Sequence, residues 1–351
     1  MSLKTALRRM KKRGLYYDIR SYRRFRKKLV VLSKNCPPKA MPVGQVIRTI
    51  RNWGIIGYLF NRYYMAHGEC SVAEYVPENF YSWYLLSALN PKTTAHRVGD
   101  KRMLDILYPG TSPTFLIKSD GRWSFSEQAI DDAEAERMLL EHLPSAVVLK
   151  KPHSARGQDI YIFSEGESAE LLDKARKLPD LCVQDYIHQD QALAVFHPAS
   201  VNSIRMLTIN FMGDIRILGA FVRFGVGDSV VDNVEAGGLC VHLDRYGHAA
   251  GPAIHKDGRS FTHHPDSQQA FSSLVVQHWS VLEEQVTELH RMTPDVGFIG
   301  WDFAVGEDRF WLLECNTGHP SLLYHQYQQA PLFGDMLPGL FRAVTGRAFL
   351  R

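Results

Sequence analysis

Three oxygen-bearing side chains near the end of the chain have the types and spacing of a metal site. Asp302 lies in one short apolar segment, and Glu314 and Asn316 lie in the next. Residues 306–309, between the two segments, have the composition of a tight hairpin turn. Because side chains alternate between the faces of a strand, Glu314 and Asn316 point the same way. A three-residue turn at 307–309 then pairs Asp302 with Glu314.

This group of carboxylate and amide oxygens predicts a divalent cation. Carboxylates in the core of a sheet are costly unless a cation or a base pairs with them. Oxygen donors without histidine or cysteine favour Mg²⁺ or Mn²⁺ over zinc, and Mg²⁺ usually accompanies the phosphates of a substrate. The alternative is that Asp302, Glu314 and Asn316 are strand-end residues that face water.

Two arginines form a second candidate group. Arg205 and Arg223 each lie in the interior of a strand that is otherwise apolar. A buried guanidinium requires an anionic partner. One such arginine can serve a structural ion pair, whereas two close together more often face a ligand anion.

A lysine at a strand end provides a candidate phosphate contact. The strand 146–152 ends in Lys150 and Lys151 and is followed by the small polar loop 153–158. A lysine beside a loop with free amides can hold a phosphate. Because side chains alternate along a strand, Lys150 and Lys151 point to opposite faces.

Helical and strand patterns surround these residues. Helices rich in aromatic residues are expected before residue 90, and another is expected from Ser126 to Leu143. The apolar stripe over residues 268–292 predicts one long helix. Its histidines, His278 and His290, are interpreted as packing or surface residues rather than ligands.

The bulk composition indicates a reduced, cytoplasmic protein. The chain has 351 residues, of which 45% are hydrophobic, enough for a large core or for two or three small domains. Its five cysteines are scattered without metal-like spacing. Neither a run of about 18 apolar residues nor an N-terminal signal-peptide pattern is present.

The positive charge is concentrated at the N-terminus. Residues 1–40 hold 14 of the 41 lysines and arginines and a single acid, Asp18, whereas the remainder carries 27 basic and 36 acidic residues. We expect residues 1–28 to bind an anionic surface such as the inner face of a membrane, and no motif for nucleic acid accompanies them. The alternative is a solvated helix that packs Tyr16, Tyr22 and Phe25 on the body.

The order of motifs resembles the ATP-grasp superfamily, and most closely its sugar-transfer-associated, alpha-L-glutamate ligase-related branch. The resemblance covers roughly residues 75–330 and rests on Asp100-Lys101, Lys151-Pro152, Ser200-Val-Asn-Ser-Ile-Arg205, Val231-Asp-Asn233 with Gly237-Gly238, Gly300-Trp-Asp302 and Leu313-Glu-Cys-Asn316. It implies an α+β fold in which two subdomains, one with a mobile lid, hold ATP. The expected divisions are a helical N-terminal extension (1–90), the N-terminal and lid subdomains (91–190) and a C-terminal metal-binding subdomain (191–351).

The resemblance also implies roles for individual residues. Lys101 and Lys151 would contact the nucleotide phosphates, and Asp190 is the nearest acid for the ribose. The residues of the hinge strand that would line the adenine are Gln184, Asp185, Tyr186 and Ile187. Two features depart from the family pattern: the lid 154–157 has one glycine, and Gln184 replaces the commoner glutamate.

On the same basis, the C-terminal half would carry the chemistry. Asp302, Glu314 and Asn316 resemble the magnesium ligands, and Arg205 and Arg223 resemble the arginines that hold the transferred phosphoryl group and the acyl-phosphate. Candidate substrate-binding residues are His197, Asn233, Gly237, Gly238 and His319.

The expected activity is an ATP- and Mg²⁺-dependent carboxylate–amine ligase that forms an amide through an acyl-phosphate. Its substrates would be a small-molecule carboxylate and an amine, such as an amino acid and a sugar- or peptide-type molecule. The alternatives are a small-molecule or sugar kinase, a nucleotide-binding module without turnover, and a non-enzymatic binder that acts through the basic arm.

Overall fold

The structure of the chain, a computed structural model, describes residues 23, 26–28, 30, 31, 33–35, 37, 38, 40–64, 72–152, 159–328 and 331–350. From residue 40 on, the α-helices within these ranges are α1 (Val43–Tyr64), α2 (78–89, with a π-helical turn at Tyr81–Leu85), α3 (Lys92–Val98), α4 (Leu104–Leu107), α5 (Asp132–His142), α6 (Ser168–Lys177), α7 (Gln191–Ala194), α8 (Trp279–Arg291), α9 (Leu323–Gln328) and α10 (Leu337–Thr345). Short 3₁₀ turns lie at Val72–Glu74, Lys101–Met103, Leu143–Ser145, Val234–Ala236, Phe271–Ser273 and Gly334–Met336.

A small antiparallel sheet forms one half of the molecule. Its strands are β1 (Thr114–Ser119), β2 (Arg122–Phe125), β3 (Gln128–Ile130), β4 (Val147–Lys150), β5 (Ile160–Phe163) and β6 (Leu181–Asp185). They lie in the order β3-β2-β1-β6-β4-β5. Helices α5 and α6 cover one face, where Leu139 and Leu171 pack with Leu149 and Val183.

The helix expected from Ser126 starts later than predicted. β3 occupies residues 128–130, and α5 begins only after Asp131, whose carboxylate accepts a hydrogen bond of 2.8 Å from the backbone N–H of Glu134. An aspartate at this capping position satisfies a backbone donor that the first turn leaves unpaired. The cap therefore lies five residues after the predicted one.

A larger antiparallel sheet forms the other half. Its strands are β7 (Ser203–Phe211), β8 (Asp214–Phe224), β9 (Leu239–Leu243), β10 (Ala253–His255), β11 (Ser260–Phe261), β12 (Phe298–Val305) and β13 (Phe310–Asn316). They lie in the order β11-β10-β9-β8-β7-β12-β13. The predicted α+β fold is confirmed.

Helix α8 packs on one face of the large sheet. Leu282 and Val286 contact the same core as Met206 and Trp301. The prediction of one helix over 268–292 is wrong in its first half, because the chain enters α8 through His278 in a left-handed conformation with φ 56°. The preceding apolar residues still reach the core, although from a 3₁₀ turn and extended chain. His290 is buried, as expected, and bonds to Thr208 Oγ1 at 2.6 Å.

The opposite face of the large sheet is covered by helices from both ends of the chain. Trp53 of α1, Phe80 of α2 and Phe341 of α10 share a core with Leu207 and Phe298. The helical segments before residue 90 are therefore part of the packing of the large sheet, and a helical N-terminal region is confirmed. The division of the chain at residues 90 and 190 remains a prediction.

Most of the basic arm lies outside the described residues, including Tyr16, Tyr22 and Phe25. Where the arm is described, Lys28 forms an ion pair of 2.7 Å with Glu235, and Asn35 donates to the carbonyl of Asp257 at 2.9 Å. Among the described helices, none has the length and apolarity that a membrane span requires. The described cysteines, Cys182, Cys240 and Cys315, are buried free thiols.

Candidate active site

The hairpin β12–β13 pairs Asp302 with Glu314 as predicted, but with a different turn and an added bulge. The turn contains four residues, 306–309, and is closed by a hydrogen bond of 2.9 Å from Gly306 N–H to the carbonyl of Arg309. This turn alone would shift the pairing by one residue. A β-bulge restores it, because Leu313 has no partner between the pairs Phe303–Leu312 and Asp302–Glu314.

Asp302 is buried between two arginines. Its side chain is 4% exposed. Arg205, its partner in register on β7, binds both carboxylate oxygens, with Nη2 to Oδ2 at 2.8 Å. Arg223 on β8 approaches the same Oδ2 with Nη2 at 3.2 Å. The two arginines thus converge on an anion that the protein itself supplies, whereas the sequence analysis expected two neighbouring arginines to face a ligand anion.

These contacts keep Asp302 ionised. Burial alone raises the pKa of Asp302, but the guanidinium groups of Arg205 and Arg223 outweigh it and hold this pKa below its ordinary value. Burial likewise lowers the pKa of Arg223, and the carboxylates of Asp232 and Asp302 outweigh that effect and raise it. Asp302 and the two arginines are therefore all ionised, and the arginines neutralise the charge of Asp302.

Asp232 is a charged residue of the site to which the sequence analysis gave no role. Its Oδ2 accepts hydrogen bonds from both the backbone N–H, at 2.8 Å, and the hydroxyl of Ser203, and it lies 3.3 Å from Arg223 Nε. The residue stands beside Asn233 in the motif 231–233. In the sequence, Asp232 could have been recognised as an acid in a loop shortly before a pair of glycines.

Lys101, Glu314 and Asn316 complete this charged group. Lys101 is buried at the start of a 3₁₀ turn, and its Nζ lies 3.3 Å from Glu314 Oε1. The side chain of Glu314 is 30% exposed. Asn316 Nδ2 donates to Asp302 Oδ2 at 3.2 Å. The three predicted metal ligands are therefore adjacent.

Lys150, rather than Lys151, faces the cleft between the two sheets, so the predicted strand phase is wrong by one residue. Val147 and Leu149 of β4 pack beneath α5 and α6, which turns Val148 and Lys150 to the cleft. Lys151 lies beyond the strand and forms an ion pair of 2.8 Å with Asp159. Burial, and then repulsion from Lys101, lowers the pKa of Lys150 to about 8.

The cleft encloses about 300 Å³ and has two unlike walls. The small sheet and the segment after β6 contribute Val148, Lys150, Ile160, Ile162, Gln184, Asp185, Tyr186 and Ile187. The large sheet and the segments beside it contribute Lys101, Ala199, Val201, Ser203, Arg205, Arg223, Val230, Val231, Asp232, Asn233, Asp302, Leu313, Glu314 and Asn316.

The predicted hinge residues all line this cleft. Gln184 is buried and donates from Nε2 to Thr114 Oγ1 at 2.8 Å, which holds its side-chain carbonyl in one orientation. Asp185 bonds to His142 Nδ1 at 2.6 Å. The predicted lid, residues 154–157, lies outside the described residues.

Several predicted residues are not brought into the cleft. Asp190 caps α7 by accepting from Ala192 N–H at 2.7 Å. His197 is buried and donates to the carbonyl of Ser229 instead. Gly237 (φ 120°) and Gly238 serve the backbone, because a Cβ on Gly238 would lie 2.5 Å from the carbonyl oxygen of Phe224. Asn233 does line the cleft, although its side-chain Oδ1 accepts a hydrogen bond from Glu235 N–H at 2.9 Å.

His319 lines a second cavity of about 570 Å³ that adjoins the first. The two cavities share Glu314 and Asn316. The rest of its wall comes from α2, α3 and the loop after β13, and includes Lys92 and His96. The strand end that bears the predicted metal ligands therefore faces two cavities.

The donor set at this strand end fits Mg²⁺ or Mn²⁺. Two carboxylates and an amide lie side by side without histidine or cysteine, which suits a hard cation with oxygen ligands. A carboxylate has about four lone-pair sites, so Asp302 can keep Arg205 and still bind a cation. Glu314, partly exposed and contacted by Lys101, is the more accessible carboxylate.

The sequence places the chain in a family. Residues 82–336 match the family model described as sugar-transfer associated ATP-grasp. Because this match covers well over half of the chain, the chain belongs to that family, and the predicted resemblance is confirmed. No curated protein matches the chain significantly.

Solved structures of ATP-grasp ligases resemble the chain at low identity. D-cycloserine synthetase DcsG is 14% identical, with a TM-score of 0.46 over 74% of this chain and 73% of that chain. The ligase PsnB, complexed with a minimal precursor, is 11% identical (TM-score 0.41), and N5-carboxyaminoimidazole synthetase from Staphylococcus aureus is 10% identical (TM-score 0.41). The matches cover 74% and 73% of this chain but only 62% and 53% of those two chains. The family assignment rests on the sequence match over residues 82–336.

Proposed function

We propose that the chain is an ATP-dependent carboxylate–amine ligase that works through an acyl-phosphate. The observation that carries the proposal is the cleft between the two sheets. There, Lys101, Lys150, Arg205 and Arg223 face the same space as the carboxylates that suit Mg²⁺. The cleft thus combines cations for a triphosphate, oxygen ligands for its metal and an apolar wall for its base.

The nucleotide is proposed to lie with its base on the small sheet. Val148, Ile160 and Ile162 offer an apolar surface, and the segment from Gln184 to Ile187 lines the same space, where the adenine edge is proposed to lie. The triphosphate then extends toward Lys101 and Lys150. Lys150 replaces Lys151 in this role, because Lys151 is paired with Asp159 outside the cleft.

Asp302, Glu314 and Asn316 would hold the metal at the phosphate end. When bound, Mg²⁺ supplies neutralisation of the phosphate charge. Lys101 now neutralises Glu314 at 3.3 Å, and it is close enough to shift its contact to a phosphate oxygen once a cation takes the carboxylate. Asn316 would need to present its carbonyl oxygen rather than the amide that now bonds Asp302.

The arginines are proposed to stabilise the charge that develops during transfer. Arg205 is fixed on Asp302 by two hydrogen bonds and orients that carboxylate. Arg223 is held by Ser203 at 3.0 Å and by Asp232 and Asp302 at 3.3 and 3.2 Å. Such a preorganised guanidinium stabilises an oxyanion without reorganising during the reaction.

The second cavity is proposed to admit the carboxylate and the amine. It shares Glu314 and Asn316 with the nucleotide cleft and carries the basic side chains of Lys92, His96 and His319. Basic groups in a cavity favour an anionic substrate. An amino acid joined to a sugar- or peptide-type molecule is the proposed substrate pair.

Product analysis separates this activity from its rivals. The full chain is incubated with ATP, Mg²⁺ and a pool of carboxylates, with and without a pool of amines, and ADP, phosphate and new products are quantified. A ligase releases ADP and phosphate in equal amounts, faster with amines, and forms an amide. ADP without phosphate, together with a phosphorylated product, identifies a kinase instead. ATP binding with no ADP in any pool identifies a binding module.

We also propose that residues 1–28 attach the enzyme to the inner face of a membrane. Lys and Arg gain about 1 kcal/mol each near an anionic bilayer, and salt weakens this attraction. Lys28 itself forms an ion pair with Glu235, so the deletion that tests the proposal spares it. Deletion of residues 1–27 should abolish sedimentation with anionic liposomes and preserve the melting temperature. A large drop in melting temperature, with no liposome binding by the full chain, contradicts the proposal.

A further inference from the structure

A second group of potential metal ligands lies outside the cleft. His197 follows α7, and His264 and Asp266 lie in the loop after β11. One ligand atom from each lies within 4.8 Å of the other two. Both histidines are buried, at 3% and 0% exposure, whereas Asp266 is exposed. Buried imidazoles beside one carboxylate are the chemistry of a transition-metal site rather than of Mg²⁺.

The hydrogen bonds of the two histidines select the nitrogens that can bind a metal. His197 Nε2 lies 2.8 Å from the carbonyl of Ser229, and His264 Nε2 lies 2.8 Å from the carbonyl of Gly225. A carbonyl only accepts, so both Nε2 atoms carry the proton, and in a neutral ring Nδ1 then has the lone pair. A ring that donates its other N–H to a carbonyl is the usual arrangement of a metal-bound histidine.

The two Nδ1 atoms converge on one carboxylate oxygen. Each lies 3.9 Å from Asp266 Oδ2. Ligands at 2.0–2.1 Å from a tetrahedral zinc ion are separated by about 3.3 Å, so each of these two distances would contract by about 0.6 Å on metal binding. Asp266 N–H bonds to His264 Nδ1 at 3.3 Å, and this long bond is the one that a metal would replace. The exposure of Asp266 leaves room for water as a fourth ligand.

The backbone is shaped around His197. A Cβ on Gly225 would lie 2.5 Å from His197 Cδ2 and 2.6 Å from its Nε2. Real Cβ atoms do not approach other atoms this closely, so a side chain at residue 225 would displace the ring. The same residue supplies the carbonyl that orients His264. One glycine thus allows both imidazoles to occupy their positions.

We propose that His197 Nδ1, His264 Nδ1 and Asp266 Oδ2 bind one Zn²⁺-like transition-metal ion. Asp266 Oδ2 also accepts from Gly227 N–H at 2.6 Å. The loop that begins at Gly225 continues to Val230 and Asp232 in the cleft. The ion therefore joins two segments of chain directly, and the hydrogen bonds of its ligands to Gly225 and Gly227 fix the loop that forms part of the nucleotide site.

Direct metal binding tests the proposal. The full chain without an affinity tag is stripped with chelator and titrated with Zn²⁺ in competition with a chromophoric indicator, without nucleotide. Co²⁺ is used in parallel, because its visible absorption reports tetrahedral coordination. We expect one equivalent of Zn²⁺ and a higher melting temperature with zinc.

Matched variants locate the ion. Asp266→Asn changes an exposed residue and should weaken Zn²⁺ binding by about tenfold or more. Loss of a group that only hydrogen-bonds to a metal ligand already has an effect of this size. His263→Gln, at the exposed neighbouring histidine, should bind as the wild type does. Glu314→Gln should also bind as the wild type does, which separates this site from the cleft. Absence of stoichiometric zinc, unchanged affinity in Asp266→Asn, or loss of zinc in Glu314→Gln overturns the proposal.

Discussion

The two walls of the cleft are built from different kinds of residue. The wall from the large sheet holds ionised groups whose positions are fixed by one another, as Asp302 is fixed by Arg205 and Arg223. The wall from the small sheet is largely apolar, and Lys150 is its cation. The pKa of that lysine is lowered, whereas the ionised state of Asp302 is stabilised.

The difference indicates a division of labour. Fixed opposite charges suit the transfer of a phosphoryl group, since they stabilise charge without reorganising. An apolar wall with one desolvated lysine suits capture of the nucleotide. Substitutions in the large-sheet wall should therefore affect turnover and stability, and those in the small-sheet wall should affect ATP affinity.

The largest expected effect concerns the stability of the large-sheet wall. Asp302→Asn leaves two largely buried guanidinium groups with one carboxylate fewer, and removal of one partner from a buried ion pair costs about 3–5 kcal/mol. We expect the free energy of unfolding, measured with denaturant, to fall by about this amount. Asp308→Asn, on the exposed turn of the same hairpin, should change it little. Equal stability of the two variants would show that the charges do not hold this wall together.

Glu314→Gln should next reduce ATP turnover by at least about a hundredfold while the fold is retained. The substitution removes one of the two carboxylates that would neutralise the metal, a contribution worth several kcal/mol. Glu307→Gln, on the exposed turn between the same strands, is the matched control. Full activity in Glu314→Gln excludes this residue from the site.

The small-sheet wall is tested by the adjacent lysines. Lys150→Ala should weaken ATP binding by about 1.5–3 kcal/mol, the scale of a charge-assisted hydrogen bond, with little effect on stability. Lys151→Ala should bind ATP normally, because Lys151 is paired with Asp159 outside the cleft. Titration calorimetry measures ATP affinity for both variants. Weaker binding by Lys151→Ala, with normal binding by Lys150→Ala, would show that Lys151 faces the nucleotide, as the sequence analysis expected.

A smaller effect is expected from pH. Lys150 has a pKa of about 8 in the free protein, so it loses its charge as the pH rises above 8. If phosphate binds only the charged lysine, ATP affinity should fall by about tenfold between pH 7 and pH 9. Lys150→Met should lack this step. A step of the same size in Lys150→Met assigns the titration to another group.

The sequence predicted the charged wall better than the apolar one. Asp302, Glu314 and Asn316 are polar residues in strands that are otherwise apolar, and strand alternation limits where they can point. The pairing came out correctly although the turn was one residue longer than expected, because the bulge at Leu313 compensated. Bulges leave no clear trace in a single sequence.

The incorrect predictions arise where the hydrophobic pattern of the sequence is compatible with two structures. β4 contains three consecutive apolar residues before Lys150, so its hydrophobicity does not show which face is buried. Only packing against α5 and α6 selects Val147 and Leu149 for the core. His197 was predicted to bind substrate from its loop position, and its grouping with His264 and Asp266 was missed because these residues lie more than 60 positions away along the chain.

The central claim is that Asp302, Glu314 and Asn316 hold a divalent cation against the triphosphate. Counting the bound metal ions tests this claim most directly. Mn²⁺ binding is measured by electron paramagnetic resonance with a non-hydrolysable ATP analogue, for the wild type, Glu314→Gln and Glu307→Gln. We predict that Mn²⁺ binds the wild type and Glu307→Gln equally in the presence of the analogue, and that Glu314→Gln binds it more weakly or binds fewer ions. Identical Mn²⁺ binding by all three proteins would contradict the claim.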